Sequence, residues 1–155
     1  MKIKNQILTR INQKPIVYDT FYNDNKKQKP LVIFCHGYKG FKDWGTWDLV
    51  ANNFAKQNLF FVKFNFSHNG GTVNQPIDFP DLDAFAENNY TKELQDLDDI
   101  LNHFTSDQSI YKNNIDTNNI TLIGHSRGGG ISIISDPLSK YSTVNGTASK
   151  SNIYL

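Results

Sequence analysis

The chain has 155 residues, 38% of them hydrophobic, 20% charged and 13% aromatic, with a formal net charge of +1. This is the size and make-up of one globular domain, and the near-neutral balance excludes the basic footprint of a nucleic-acid binder. No run approaches the roughly 18 apolar residues of a membrane-spanning helix, and Met1-Lys2-Ile3-Lys4-Asn5-Gln6 lacks the apolar stretch of a signal peptide.

In chain order, Ile7-Leu8-Thr9-Arg10-Ile11 and Pro15-Ile16-Val17-Tyr18 predict a hairpin around Asn12-Gln13-Lys14. Asn23 to Pro30 is a polar connector in which Lys26, Lys27 and Lys29 are expected to be solvated. Leu31-Val32-Ile33-Phe34-Cys35 has no polar alternation, the pattern of a strand buried on both faces of a parallel sheet. The lone Cys35 within it is expected to be a buried, inert thiol. Trp47, Val50, Ala51, Phe54 and Ala55 recur at helical spacing after a candidate N-cap, Thr46.

Leu59 to Phe64 predicts the next buried strand, and Asn65 to Asn89 a long polar loop. Tyr90, Leu94, Leu97, Leu101 and Phe104 mark the inner face of a second helix, capped by Asn88 or Asn89. Ile120-Thr121-Leu122-Ile123 is a third buried strand, and Ile131-Ser132-Ile133-Ile134 opens a last helix. Strands alternating with helices predict an α/β fold, a three-layer αβα arrangement with a mostly parallel sheet and right-handed crossovers.

Between the third strand and the last helix stands Gly124-His125-Ser126-Arg127-Gly128. A serine that attacks an acyl carbon must be exposed and rigid, and this spacing places it at the tip of a tight strand-to-helix turn. Gly124 and Gly128 lack a Cβ, which lets strand and helix approach. A dinucleotide fingerprint would need glycine where Ser126 stands, and a phosphate-binding Walker loop would need Gly-Lys-Ser/Thr where Gly130-Ile131-Ser132 stands. A purely structural turn is the remaining alternative. His36-Gly37-Tyr38-Lys39-Gly40 follows the first buried strand, where backbone amides complete an oxyanion hole. The main-chain N–H groups of Tyr38 and Arg127 are the candidate donors.

With these two motifs the sequence resembles the α/β-hydrolase superfamily from about Pro15 to Ile134, most closely its prolyl-oligopeptidase-like and dienelactone-hydrolase-like serine hydrolases. The resemblance implies Ser126 as nucleophile, with Gly37, Gly124 and Gly128 as the loop and elbow glycines. It implies no cofactor and a small-molecule ester or amide as substrate; no metal is expected, since no His or Cys cluster has ligand spacing. It also implies an acid and then a histidine after the nucleophile, whereas Ser126 to Leu155 holds one carboxylate, Asp136, and no histidine. Asp136, before Pro137, reads as a helix terminator.

Of the four histidines, His36 belongs to the oxyanion loop, His125 should be directed away from Oγ, and His103 should face solvent. His68, on a loop after a strand, is the remaining candidate base. Strands beyond the nucleophile strand are also missing from the pattern. The expectation is therefore an N-terminal hydrolase part, residues 1–135, truncated after the elbow helix, with 136–155 a polar tail foreign to the fold. The open edge of the nucleophile strand would be an association surface.

Two features complete the reading. Asp78-Phe79-Pro80-Asp81-Leu82-Asp83-Ala84-Phe85-Ala86-Glu87 is either a substrate-facing loop favouring cationic or aromatic groups or a connector with Phe79 and Phe85 pinned to the core. Asn65, Asn119 and Asn145 begin Asn-x-Ser/Thr triplets, which are acceptors only on a secretory route; a cytoplasmic protein is expected. Two function classes stand: a serine hydrolase of esters or amides, and a catalytically incomplete part without independent activity.

Overall fold

Residue alternation along the strands decides the layering. The computed structural model describes residues 1–135 and the backbone of Asn152–Tyr154. Its elements are β1 (Lys2–Leu8), β2 (Ile16–Phe21), β3 (Lys29–Cys35), α1 (Trp47–Lys56), β4 (Phe60–Phe64), α2 (Leu82–Ala86), α3 (Tyr90–Thr105), β5 (Ile115–Gly124), α4 (Arg127–Ser135) and β6 (Asn152–Tyr154).

Leu31, Ile33 and Cys35 of β3 share one buried cluster with Phe60, Val62 and Phe64 of β4, Leu97, Ile100, Leu101 and Phe104 of α3, and Ile131 of α4. The intervening Val32, Phe34 and Phe61 join Phe21 and Ala51 on the other face, where Trp47, Val50 and Phe54 of α1 pack. Helices thus cover both faces, as a strand with apolar residues at every position requires. Each such side chain contributes roughly 1.5–3 kcal/mol on leaving water.

The strand order is β1-β2-β4-β3-β5-β6. β4, β3, β5 and β6 run parallel, while β2 pairs antiparallel with both β1 and β4. The sheet is therefore mixed, with the hairpin supplying its antiparallel edge. β1 starts earlier than the sequence pattern suggested, and Ile11 is 90% exposed in the turn. Between Ile3 and Gln6 the register slips at Asn5, which has φ of 54° and donates its amide to Asp19 Oδ1 at 2.7 Å.

Three further expectations change. Lys29 is buried at the start of β3, its ammonium on the Lys27 carbonyl at 2.5 Å; only Lys26 and Lys27 remain in the exposed connector. The long loop contains the single-turn α2, capped by Asp81, whose carboxylate accepts from the Ala84 amide at 3.0 Å. The edge of β5 is not open along its length, because Thr121–Ile123 pairs with Asn152–Tyr154 of β6. Main-chain pairing, which side-chain patterns do not encode, carries the sheet one strand beyond α4. Asp136 and the rest of 136–151 lie outside the described residues.

A network of charges fastens the loop before α1 to the sheet. Lys42 and Lys63 are fully buried, with Lys42 Nζ 2.8 Å from Asp19 Oδ1 and 2.6 Å from Asp43 Oδ2. Lys63 Nζ reaches Asp43 Oδ1 at 2.5 Å, Asp19 Oδ2 at 3.2 Å and also Asp48. Asp19, Asp43 and Asp48 lie close enough together to suggest a cation site. Lysine ammonium groups supply the positive charge between them.

Candidate active site

The elbow is built from close backbone contacts. Ser126 has φ of 55°, a left-handed conformation that costs a non-glycine residue about 1–2 kcal/mol and is held here by its surroundings. The His125 amide donates to the Cys35 carbonyl at 3.0 Å, and the Gly128 and Gly129 amides close tight turns onto His125 and Ser126 at 3.0 and 2.9 Å. A Cβ at Gly124 would stand 2.4 Å from the backbone of Gly129, and one at Gly128 2.2 Å from the Cys35 oxygen. Both glycines therefore let α4 start directly above the ends of β3 and β5.

The loop after β3 meets the elbow. A Cβ on Gly37 would lie 3.2 Å from Ser126 Cβ and 2.9 Å from His125 Nδ1. The Gly40 amide donates to the Gly37 carbonyl at 2.9 Å, which turns the chain back on itself. His36 braces this turn with both ring nitrogens: Nδ1 contacts the Gly37 oxygen at 2.8 Å and Nε2 accepts the Phe66 amide at 3.1 Å. Burial pushes its imidazole down to about 4, so it stays neutral. Asn65 Oδ1 accepts from the Lys42 amide at 2.7 Å and its Nδ2 donates to the Pro76 carbonyl at 2.7 Å, linking the long loop to the oxyanion loop. Asn65 is 4% exposed, so its Asn-x-Ser triplet is closed to modification in the folded chain.

Ser126 opens into a cleft of about 690 Å³ lined by Tyr38, Phe85, Ala86, Asn88, Tyr90, Arg127 and Gly130. Tyr38 stacks on Phe85 at 5.5 Å, so part of the long loop does reach the site. Phe79 does the anchoring, packed edge-on against Phe41 at 4.9 Å and Phe85 at 5.4 Å. Arg127 Nε donates to Glu93 Oε2 at 2.8 Å, while its guanidinium lies 4.5 Å from the Tyr90 ring centre and 5.6 Å from that of Tyr38. Buried Glu93 also accepts from Asn88 Nδ2 at 2.8 Å. Among the described residues, the amides of Tyr38 and Arg127 make no backbone hydrogen bond.

Glu93, buried behind the cleft wall, is the residue that the sequence pattern did not single out. Glu93 had a signal: it sits in the apolar stripe of α3 with Leu97, Ile100 and Phe104, where an ionised side chain needs a partner. Tyr90, expected on the inner face, is 53% exposed and faces the cleft.

No histidine is hydrogen-bonded to Ser126 among the described residues. His36 is fully engaged, and His125 leans toward Trp47, ring centres 5.9 Å apart. His103 is half-buried rather than solvent-facing, 3.0 Å from the Tyr18 hydroxyl, and burial lowers its pKa. His68 lies in another cavity, of about 790 Å³, with Arg10, Lys14, Lys92 and Asp96, and none of its lining residues touches the Ser126 cleft. There His68 Nδ1 contacts Ser67 Oγ at 2.8 Å, and Ser67 Oγ donates to Asp96 Oδ1 at 2.9 Å. His68, the remaining candidate base, is therefore not brought to the nucleophile.

Residues 19–152 match the phospholipase/carboxylesterase family of α/β-hydrolases. The chain belongs to that family. Its fold is similar to part of DcsB, a structure solved in complex with its substrate analogue, with 21% identity, a TM-score of 0.63, and coverage of 88% of this chain and 42% of that one. The α/β-hydrolase GrgF from Penicillium sp. matches with 13% identity and a TM-score of 0.66, over 91% of this chain and 42% of its own. Est1E from Butyrivibrio proteoclasticus matches with 12% identity and a TM-score of 0.62, over 84% and 42%. The chain thus spans less than half the length of these structures. No curated protein matches the sequence. Among the described residues, no helix is long and apolar enough to cross a membrane.

Proposed function

We propose that this chain carries the nucleophile and the oxyanion-binding half of a serine esterase site. The observation that carries the reading is Ser126 itself, exposed at φ of 55° and so near the loop after β3 that a Cβ at Gly37 would lie 3.2 Å from its own Cβ. In this arrangement Ser126 Oγ adds to the acyl carbon of a carboxylic ester. The amides of Tyr38 and Arg127, which have no backbone acceptor among the described residues, stabilise the oxyanion. Loss of one such donor would cost about 2.7–4 kcal/mol of transition-state stabilisation. Membership of the phospholipase/carboxylesterase family supports esters over amides.

The reaction also needs an imidazole to take the serine proton. The positions of His36, His68, His103 and His125 favour a second reading for the chain by itself: a half-site without independent turnover. Fluorophosphonate labelling separates the two. Covalent labelling that disappears in Ser126→Ala establishes an activated nucleophile. A folded chain that takes no label selects the half-site reading.

A further inference from the structure

The cleft beside Ser126 carries one charged lining residue among those described, Arg127. Its counter-ion Glu93 lies behind it, 3% exposed, bonded through the guanidinium Nε alone and held from the other side by Asn88 Nδ2. Among the described residues the two Nη groups make no hydrogen bond, and the guanidinium carbon lies 5.6 and 4.5 Å from the ring centres of Tyr38 and Tyr90. A flat cation braced by two aromatic faces and a buried carboxylate is pre-organised, so little side-chain entropy is lost when a ligand binds. Tyr38 and Phe85, their ring centres 5.5 Å apart, give the cleft one aromatic side.

The carboxylates that the sequence places near this loop do not enter the cleft. The Glu87 side chain is 73% exposed and pairs with Lys92 at 3.4 Å, while Asp81 accepts from Lys14 at 2.6 Å. Asp78 turns back to accept the Phe79 amide at 2.8 Å, and Asp83 is exposed on α2 outside the lining. Lys39 adds a second positive charge at the mouth, 5.8 Å from the Tyr38 ring centre. A preference for cationic substrates therefore finds no support in the cleft.

We infer that this cleft takes esters bearing a carboxylate, which the outer edge of the Arg127 guanidinium binds in a two-pronged contact while Tyr38, Phe85 and Tyr90 hold an apolar body. The inference rests on the reading of Ser126 as nucleophile for its word "ester", but the carboxylate contact stands by itself. A planar carboxylate matches the guanidinium fork, and such charge-assisted pairs are roughly twice as strong as neutral ones. The cleft, at about 690 Å³, has room for an acyl or leaving group of drug-like size.

The test is direct binding, read by calorimetry at neutral pH with phenylacetate, phenylacetamide and phenyl phosphate on the full chain. Phenylacetate is expected to bind about tenfold tighter than its neutral amide counterpart. It should also shift the Arg127 side-chain N–H resonances in the unmodified protein. The preference should vanish in Arg127→Gln. Because that change strands Glu93, the double variant Arg127→Gln with Glu93→Gln keeps the buried contact as an amide pair and should show the same loss. Equal binding of phenylacetate and phenylacetamide, unmoved Arg127 resonances, or a preference that survives the double variant would overturn the inference. Tighter binding of phenyl phosphate than of phenylacetate would overturn the assignment to a carboxylate. Fluorophosphonate labelling of the same preparations keeps the two readings apart, since binding needs no nucleophile and labelling needs no carboxylate.

Discussion

Gly128 lies directly over the carbonyl of Cys35: a Cβ at residue 128 would stand 2.2 Å from that oxygen and 2.5 Å from the His36 oxygen. Both are main-chain atoms of the strand end that carries the oxyanion loop, so neither can swing aside. Gly128→Ala is expected to destabilise the chain by about 3 kcal/mol, the upper range for overpacking, read from urea denaturation midpoints. Gly130, two residues on, meets nothing within 4 Å. Gly130→Ala is expected to stabilise by up to about 1 kcal/mol through helix propensity. Equal effects at the two positions would contradict the packing described.

Ser126 is strained where its hydroxyl is needed. Glycine adopts a φ of 55° freely. Ser126→Gly should therefore raise stability by roughly 1 kcal/mol while removing all fluorophosphonate labelling. Ser126→Ala should also abolish labelling, without the gain in stability. Thermal melts alongside labelling gels report both quantities.

The buried charges predict a steep asymmetry among lysines. Removing Lys63 leaves Asp19 buried with a partner lost, and breaking buried pairs in this way costs about 3–5 kcal/mol. Lys63→Met is expected in that range. Lys2→Met, which breaks a half-exposed pair with Asp48, is expected to cost under about 1 kcal/mol. Chemical denaturation of the two variants decides the matter.

The same network sets the response to acid. Asp43 and Asp48 resist burial because Lys4, Lys42 and Lys63 surround the first, and Lys2, Lys63 and Lys4 the second; both carboxyls are held well below their ordinary value of 3.8. A depressed carboxylate pKa stabilises the fold above its unfolded value and loses that contribution as pH falls toward the folded one. Melting temperature should therefore drop progressively below about pH 4. In Lys63→Met that slope should be shallower.

His36 offers a spectroscopic check on the oxyanion loop. Burial lowers its pKa from 6.5 to about 4, so its neutral form is favoured by folding. Stability from this group is complete above the unfolded value and declines as pH falls from 6.5 toward 4. Its imidazole nitrogen signals should show a neutral ring, protonated at Nδ1, across the neutral range. An imidazolium at pH 6 would mean that the Phe66 amide contact at Nε2 is absent.

Much of the scaffold was legible in the sequence because local physics fixed it. An unbroken apolar run named β3 and one interrupted by Lys63 named β4, helical spacing named the buried side of α1, and Asn89 caps α3 by accepting the Lys92 amide at 3.0 Å. Gly124-x-Ser126-x-Gly128 required a sharp turn whatever surrounded it, and Ser126 adopts one.

What only the tertiary structure decided are the pairings between distant segments, for which a linear pattern carries no signal. The burial of Lys29, Lys42 and Lys63 depends on partners elsewhere in the chain, or on a carbonyl that a particular loop path brings within reach. The ion pair between Glu93 and Arg127 joins residues on two helices that pack side by side on one face of the sheet. His68 shared a plausible loop with the site in sequence, yet chain direction places it in a separate cavity. Spacing determines which residues can turn, cap or line one face of an element; distance in space, and with it ionisation and reach, is settled only when the elements pack.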